Sequence, residues 1–312
     1  MRTIPTVDDF GAAPKGKSLH LAMGIFDGVH SGHQAVIGSA VTAARQQGGL
    51  SGLLTFHPHP SRILRPDEAT KLLLPIELKR RLLAQTGLDF IICKPFTLDF
   101  ASCTAADFLE TLREQLPLLK SLHVGANFRF GKNRDGDLSF IEAYARKLGI
   151  HVLSVERLRY DGAPISSSRI RIELAEGRID QVNALLGYRY FSEAPVVSGR
   201  QLGRQLGFPT LNLYWAPEAL PRFGVYAVQV RVGDGLLLPA VANYGLRPTV
   251  NTLETPLLEV HLLGDSCPFS EGDVLTVEWV HFIRPERKFD SLEALKSQIA
   301  NDVEAARGLL KE

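Results

Sequence analysis

Along the 312-residue chain the apolar positions fall into two textures. From Leu19 to Glu156, short continuous apolar runs alternate with segments whose apolar residues recur at helical spacing. The runs Leu19–Ile25, Leu50–Phe56, Leu88–Cys93, Ser121–Val124 and His151–Val155 read as strands. Ala35–Gln46, Pro75–Thr86, Thr104–Gln115 and Ser139–Leu148 read as helices, the first with Val36, Ile37, Ala40, Val41 and Ala44 on one face. This alternation predicts β-α-β units and a mainly parallel sheet covered on both faces, with ligands in loops at the carboxyl ends of the strands. Two more helices, Ile165–Glu176 and Ile179–Leu186, complete the half.

After Gly187 the texture changes. Val196–Ser198, Gly224–Val232, Leu236–Asn243, Leu257–Leu263 and Val274–Phe282 are short β-prone runs separated by Gly, Pro and Asp. No substantial helix is expected before Ser291–Leu309. Consecutive strands of this kind predict a small antiparallel barrel or sandwich closed by a terminal helix. The expected organisation is an α/β domain over 1–186 and a β domain over 187–312.

Composition narrows the function. Hydrophobic residues make up 45% and charged residues 22% of the chain, with a formal net charge of +1. No global field draws such a chain to nucleic acid or an anionic membrane, so any phosphate binding must come from local geometry. Small molecules are the expected partners, with no nucleic acid and no membrane; nothing points to a particular protein partner. Cys93, Cys103 and Cys267 are odd in number and form no Cys-x-x-Cys pair, which argues against a disulfide framework. With no apolar run of membrane-spanning length and no leader-like start, a cytoplasmic location is expected.

The chemistry concentrates in Met23–Gln34, where glycines and two histidines, His30 and His33, fall between an apolar strand and an amphipathic helix. Glycine lets a backbone approach a phosphate closely, and a helix start offers free N–H groups to anions. Two imidazoles aimed at one place add hydrogen bonds to a phosphoryl oxygen as its charge grows. The turn is therefore read as the seat of a reaction at the α-phosphate of a nucleotide. Ile165–Arg171 offers a second phosphate site, with Ser167, Ser168, Arg169 and Arg171 at the start of a helix. By contrast, Gly11–Ser18 spells a Walker A loop but precedes its strand instead of following one, the wrong order for that function. Together with His57 and His59 the histidine pair could also suggest a metallohydrolase, yet only Asp27 lies near as a carboxylate ligand.

Taken together, these stretches resemble the bacterial bifunctional riboflavin kinase/FAD synthetase family. Gly24–His33 is similar to its adenylyltransferase signature, and Phe56–Pro60, Val124–Gly131 and Ile165–Arg171 follow in the expected order. In the second half, residues 199–212, 241–249, 258–261 and 283–290 resemble the kinase motifs. His57 and Ser168 depart from the usual pattern, as does the loop over 265–270.

The resemblance implies a nucleotidylyltransferase domain of Rossmann type followed by a barrel kinase. The substrates and products are ATP, riboflavin, FMN and FAD, with Mg²⁺ as cofactor. His30 and His33 are implied as catalytic groups, with Gly24, Phe26, Gly32 and the Ser167–Arg171 residues at the ATP phosphates. Pro58, His59, Pro60, Asn127 and Arg284 are implied at the flavin. In the kinase half it implies Glu259 as base, Gly203, Arg204 and Gly207 at the phosphates, and Thr210 and Asn212 as Mg²⁺ ligands.

Overall fold

In this computed structural model the described residues are 4–198, 203, 206–247, 255–264 and 267–311. The chain divides into two compact units, Met1–Ser167 and Ser168–Glu312.

The first unit is built on a six-stranded, wholly parallel sheet. Its strands are β1 (Thr6–Val7), β2 (Leu19–Met23), β3 (Leu50–His57), β4 (Phe90–Pro95), β5 (Leu119–Gly125) and β6 (His151–Val155), in the spatial order β1-β4-β3-β2-β5-β6. β2 is buried along its whole length, as a central strand covered on both faces must be. On one face α1 (Ser31–Gln46) and α3 (Ile76–Ala84) contribute Val36, Ile37, Ala40 and Leu83 to a core with Ala22, Leu53 and Ile91. On the other, α5 (Ala105–Gln115) and α6 (Leu138–Lys147) pack Phe108, Leu112, Ile141 and Ala145 onto Leu21, Leu54 and Leu122. Between β3 and α3 lies α2 (Pro60–Leu64), and between β4 and α5 lies α4 (Leu98–Ala101). A two-stranded ribbon, β7 (Arg159–Tyr160) with β8 (Ala163–Pro164), ends the unit.

Strand order positions the site. From β2 the chain moves through β3 to β4, then reverses to β5 on the other side of β2. The carboxyl ends of β2 and β5 therefore flank a topological switch point, where a doubly wound sheet opens a crevice. Met23–Gln34 and Gly125–Asn127 leave the sheet there.

His20 and His123 are fully buried within β2 and β5. His20 Nδ1 is hydrogen bonded to Ser121 Oγ at 2.7 Å, Ser121 Oγ to His123 Nε2 at 2.8 Å, and His123 Nδ1 to Ser39 Oγ on α1 at 2.7 Å. Burial lowers both imidazoles, His123 to about 4, and it does the same to His30, also to about 4. Histidines with depressed folded values bind protons in the unfolded chain first. Stability is therefore full above the unfolded value near 6.5 and is expected to fall as pH drops from there toward about 4. Thermal unfolding followed at pH 7 and pH 4.5 checks this; a midpoint unchanged or higher at pH 4.5 contradicts it.

In the second unit α7 (Ser167–Ala175) and α8 (Ile179–Leu186) lead into a closed antiparallel barrel. Its strands are β9 (Phe191–Val197), β10 (Leu211–Tyr214), β11 (Gly224–Val232), β12 (Leu238–Arg247), β13 (Thr255–Leu262) and β14 (Val274–Pro285). They close in the order β10-β13-β12-β11-β14-β9. The interior is aromatic: Trp279 contacts Tyr226, Trp215, Tyr244 and Tyr190, the closest ring centroids 4.6 Å apart. On the outside α9 (Leu292–Leu309), capped by Ser291, packs Val303 and Ala306 onto Val225, Ala227 and Val241.

The division between compact units differs from the expected boundary at 186/187. α7 and α8 fold with the barrel because their apolar faces and polar groups are satisfied there. Arg222 N–H donates to the Leu174 carbonyl, and Asn183 Nδ2 donates to the Trp279 carbonyl. β1 and β10 were not expected. β1 is too short to leave a pattern, and β10 lies inside a stretch legible only as turn chemistry.

Candidate active sites

In the first unit the site begins where β2 ends. Gly24 N–H still donates to the Leu54 carbonyl of β3, after which the backbone enters the left-handed region at Phe26 (φ 55°). Gly28 follows at φ 76°, and a Cβ there would lie 2.6 Å from Leu73, so this position requires glycine on two counts. Asp27, buried, accepts the Leu73 N–H at 3.1 Å and braces the turn from behind.

The turn delivers His30 as the N-cap of α1: its Nδ1 accepts the His33 N–H at 3.2 Å. An accepting Nδ1 leaves the proton of neutral His30 on Nε2. His33, one helical turn on, stacks on His30 with centroids 3.6 Å apart and meets the edge of Phe26 at 5.2 Å. Burial, with a smaller contribution from the charge of Arg157, holds His30 down to about 4. His33 is pushed further below its usual range by burial, then by His30 and by Lys79. His33 Nδ1 is buried without a hydrogen-bond partner among the described residues. A neutral imidazole pair with one unsatisfied nitrogen, at a helix N-terminus on a switch point, is an arrangement able to receive an anion.

Ser167, the first residue of α7, donates its hydroxyl to the Asp27 carbonyl at 2.9 Å. Ser167, the last residue of the first unit, thus lies beside the histidine turn. Further along α7, Arg169 approaches Glu173 at 3.6 Å.

Beyond β5 a cavity of about 580 Å³ is lined by Asn127, Phe128, Arg129, Arg134 and Ser139 among others. Phe128 stacks on Phe130, with centroids 5.4 Å apart. Of the residues expected at the flavin, Asn127 faces this cavity. Pro58, His59 and Pro60 form the start of α2, where His59 Nδ1 accepts the Ser61 N–H at 3.1 Å and Pro60 fills the first helical position.

In the barrel the register aligns the expected residues. Asn212 on β10 is the cross-strand partner of Glu259 on β13, and Glu259 is in turn the partner of Asn243 on β12. Side chains in register across neighbouring strands share a face. Leu258 and Val260 are fully buried, so Glu259, between them in sequence, projects from the outer face, where it is half-buried. Asn212 is buried beside it. Asn243 hydrogen bonds Glu286, whose carboxyl is pushed up by burial.

Two residues along β13 from Glu259, His261 Nδ1 meets the Pro209 carbonyl at 2.8 Å. Because a carbonyl only accepts, the imidazole donates, and it tethers the peptide that leads into Thr210. Gly203 packs under the same loop: a Cβ there would fall 2.4 Å from the Phe208 carbonyl and 3.2 Å from Thr210 Oγ1. Gly207 lies in this loop with φ 89°. Arg204 lies outside the described residues, as do parts of the kinase motifs at 199–202, 205 and 248–249 and two residues of the altered loop, 265 and 266.

Arg284, expected at the flavin, is committed elsewhere. Its guanidinium makes a two-pronged ion pair with the buried Asp302 of α9, with Nε–Oδ1 at 2.9 Å and Nη2–Oδ2 at 2.7 Å. That pairing clamps the terminal helix onto β14.

Residues not foreseen at the sites are Lys79, Asn243, Glu286 and Asp302. Only Lys79 left a local signal, since Ile76, Lys79 and Leu83 share the spacing of one helix face and put a cation within an apolar stripe.

Comparison with known proteins decides the family. Residues 13–169 match the family model described as FAD synthetase, and residues 186–310 match the one described as riboflavin kinase. A bifunctional riboflavin kinase/FMN adenylyltransferase of Escherichia coli (strain K12) is 36% identical over 98% of this chain and 97% of its own. The chain belongs to that bifunctional family. The member from Bacillus subtilis (strain 168) is 36% identical over 92% of this chain and 90% of its own. A crystal structure described as a macrolide-efflux protein from Streptococcus pneumoniae has a TM-score of 0.88 at 28% identity, covering 98% of this chain and 99% of that one. Among the described residues no helix is long and apolar enough to cross a membrane.

Proposed function

We infer that the chain makes FMN and then FAD, each reaction run by the residues gathered at one of the two sites. The barrel phosphorylates riboflavin with ATP. The α/β unit transfers the adenylyl group of a second ATP to FMN and releases pyrophosphate. What carries this reading is the match to FAD synthetase and riboflavin kinase, in that order, over two differently built units.

FMN already bears a phosphate able to attack, so the adenylyl step needs alignment and charge stabilisation and no protein nucleophile. His30 Nε2–H and the His33 imidazole serve as donors to the α-phosphate and the departing pyrophosphate. Because burial keeps both rings neutral, they donate at pH 7 without changing charge. Gly24, Phe26 and Gly32 shape the backbone approach; Ser167, Ser168, Arg169 and Arg171 take the triphosphate. Asn127 contacts FMN from the cavity wall, and the Pro58–Pro60 turn borders the same substrate.

In the kinase step the attacking group is a neutral alcohol, which benefits from a base. Glu259 takes its proton. Gly203, Arg204 and Gly207 close over the ATP phosphates. Arg284 serves the flavin pocket by fixing α9 in place.

Thr210 and Asn212 would hold Mg²⁺ already carried by ATP. Their neutral oxygen donors, beside the Glu259 carboxylate, suit a hard cation that retains its phosphate ligands. When bound, the ion supplies charge neutralisation at the phosphates. A cytoplasmic location agrees with ATP as co-substrate and with three free thiols.

Incubation of the purified chain with riboflavin, ATP and Mg²⁺, with the products separated by chromatography, tests the whole reading. FAD is expected. FMN alone removes the adenylyl assignment, and unchanged riboflavin leaves only a flavin-binding protein. Chelating the divalent cation should stop both steps.

A further inference from the structure

α3 carries a lysine where its apolar face should continue. Lys79 lies between Ile76 and Leu83 on the buried stripe and is itself only 7% exposed. Its Nζ donates to the Ile25 carbonyl and, at 3.0 Å, to Thr55 Oγ1; Thr55 Oγ1 donates to the same Ile25 carbonyl, also at 3.0 Å. Ile25 is the last residue before the left-handed Phe26, so this carbonyl is the point from which the histidine turn leaves the sheet. A methionine of similar length would fill the space without burying a cation, so the ammonium is not explained by packing.

We propose that Lys79 is a positioning residue for the adenylyl step, its ammonium fixing the Ile25 carbonyl at the root of the histidine turn and setting a positive charge beneath the imidazole pair. This rests on the adenylyl reading of that turn. Pinning Ile25 fixes the path through Phe26 and Gly28 to His30 and His33, and so where their N–H groups aim. The same charge acts on the His33 imidazole, and a fixed cation at this turn favours negative charge growing on a departing pyrophosphate.

The groups facing the ammonium are Asp27 from the turn, Thr55 and His57 from β3, Cys93 from β4, His33 from α1 and Arg80 on its own helix. Burial lowers Lys79 to about 8, and Cys93 and Asp27 offset part of that effect. A cation is lost above its own pKa. FAD synthesis by the wild-type chain should therefore decline above about pH 8, and FMN synthesis in the barrel should lack that limb.

The test is the pair of pH–rate profiles, FMN to FAD and riboflavin to FMN, for the wild-type full chain, Lys79→Met, Lys79→Arg and His33→Ala. For Lys79→Met the FAD rate at pH 7.5 should fall about 10²-fold, the order expected when reacting groups are slightly misplaced. FMN formation should be unchanged. The acid limb of FAD synthesis should also move to higher pH, because the ammonium no longer helps hold the His33 imidazole down; loss of packing alone would not move that limb. Lys79→Arg, which keeps the charge, should recover part of the rate and lose the limb near pH 8. A Lys79→Met chain with wild-type FAD kinetics overturns the proposal, as does a wild-type profile flat through pH 9. Should Lys79→Met fail to fold, shown by a circular-dichroism spectrum or thermal transition unlike the wild type's, the wild-type profile decides. If His33→Ala leaves FAD synthesis intact, the adenylyl reading itself has failed, separately from Lys79.

Discussion

Replacing His33 by alanine is expected to abolish measurable FAD formation while FMN formation continues at close to the wild-type rate. Removing one preorganised donor from a developing charge costs about 10²–10³ in rate. Here the loss should reach the upper end, because His33 does two things at once. On the proposed reading its ring supplies a donor, and its stacking at 3.6 Å supports His30 in the orientation set by the cap. Alanine in the first turn of α1 is well tolerated by a helix, and the core contact that His33 gives up is its edge contact with Phe26. The fold should survive. Coupled assays on one preparation, riboflavin to FMN and FMN to FAD, check the separation. Loss of both products would mean that the kinase depends on an intact histidine turn, and an unchanged FAD rate would remove the imidazole pair from the chemistry.

How far the sequence revealed this arrangement depended on whether each feature was local. The strands β2 to β6 and helices α1, α3, α5 and α6 were legible because each carries its own apolar period. His30 and His33 stood out for a related reason: a glycine-rich turn between an apolar strand and an amphipathic helix is a local pattern. β1 escaped because its two residues pair with β4 from a distant part of the chain. The early division between compact units escaped because the faces of α7 and α8 are apolar in either setting, and only their partners decide where they pack. Arg284 was read as a flavin ligand from a motif that does not reveal Asp302, eighteen positions away on α9. Lys79 left a signal in its helical phase. Interpreting it needed the Ile25 carbonyl, which no spacing along the sequence brings near.

The kinase half offers the second large effect: Glu259→Gln is expected to lower FMN formation from riboflavin by about 10²–10⁴, the usual contribution of a general base, with FAD formation from supplied FMN unchanged. Glutamine keeps the size of the side chain and its hydrogen-bonding capacity, so β13 should stay in register with β10 and β12. On the proposed reading, what it removes is the ability to take a proton from the riboflavin hydroxyl as that oxygen attacks the γ-phosphate. Asn212 and Asn243 flank Glu259 on the adjacent strands, and neither can substitute as a base. The KM for ATP distinguishes this role from metal binding. If Glu259 acts as base, kcat falls and the KM for ATP holds; if it chiefly carries Mg²⁺ with Thr210 and Asn212, the KM for ATP rises and added Mg²⁺ restores part of the rate. His261→Ala serves as the comparison on the same strand face, since it releases the Pro209 carbonyl and loosens the Thr210 loop while leaving the carboxylate untouched. A Glu259→Gln chain with wild-type kinase turnover would take the base out of the barrel's outer row and require another proton acceptor for the riboflavin hydroxyl.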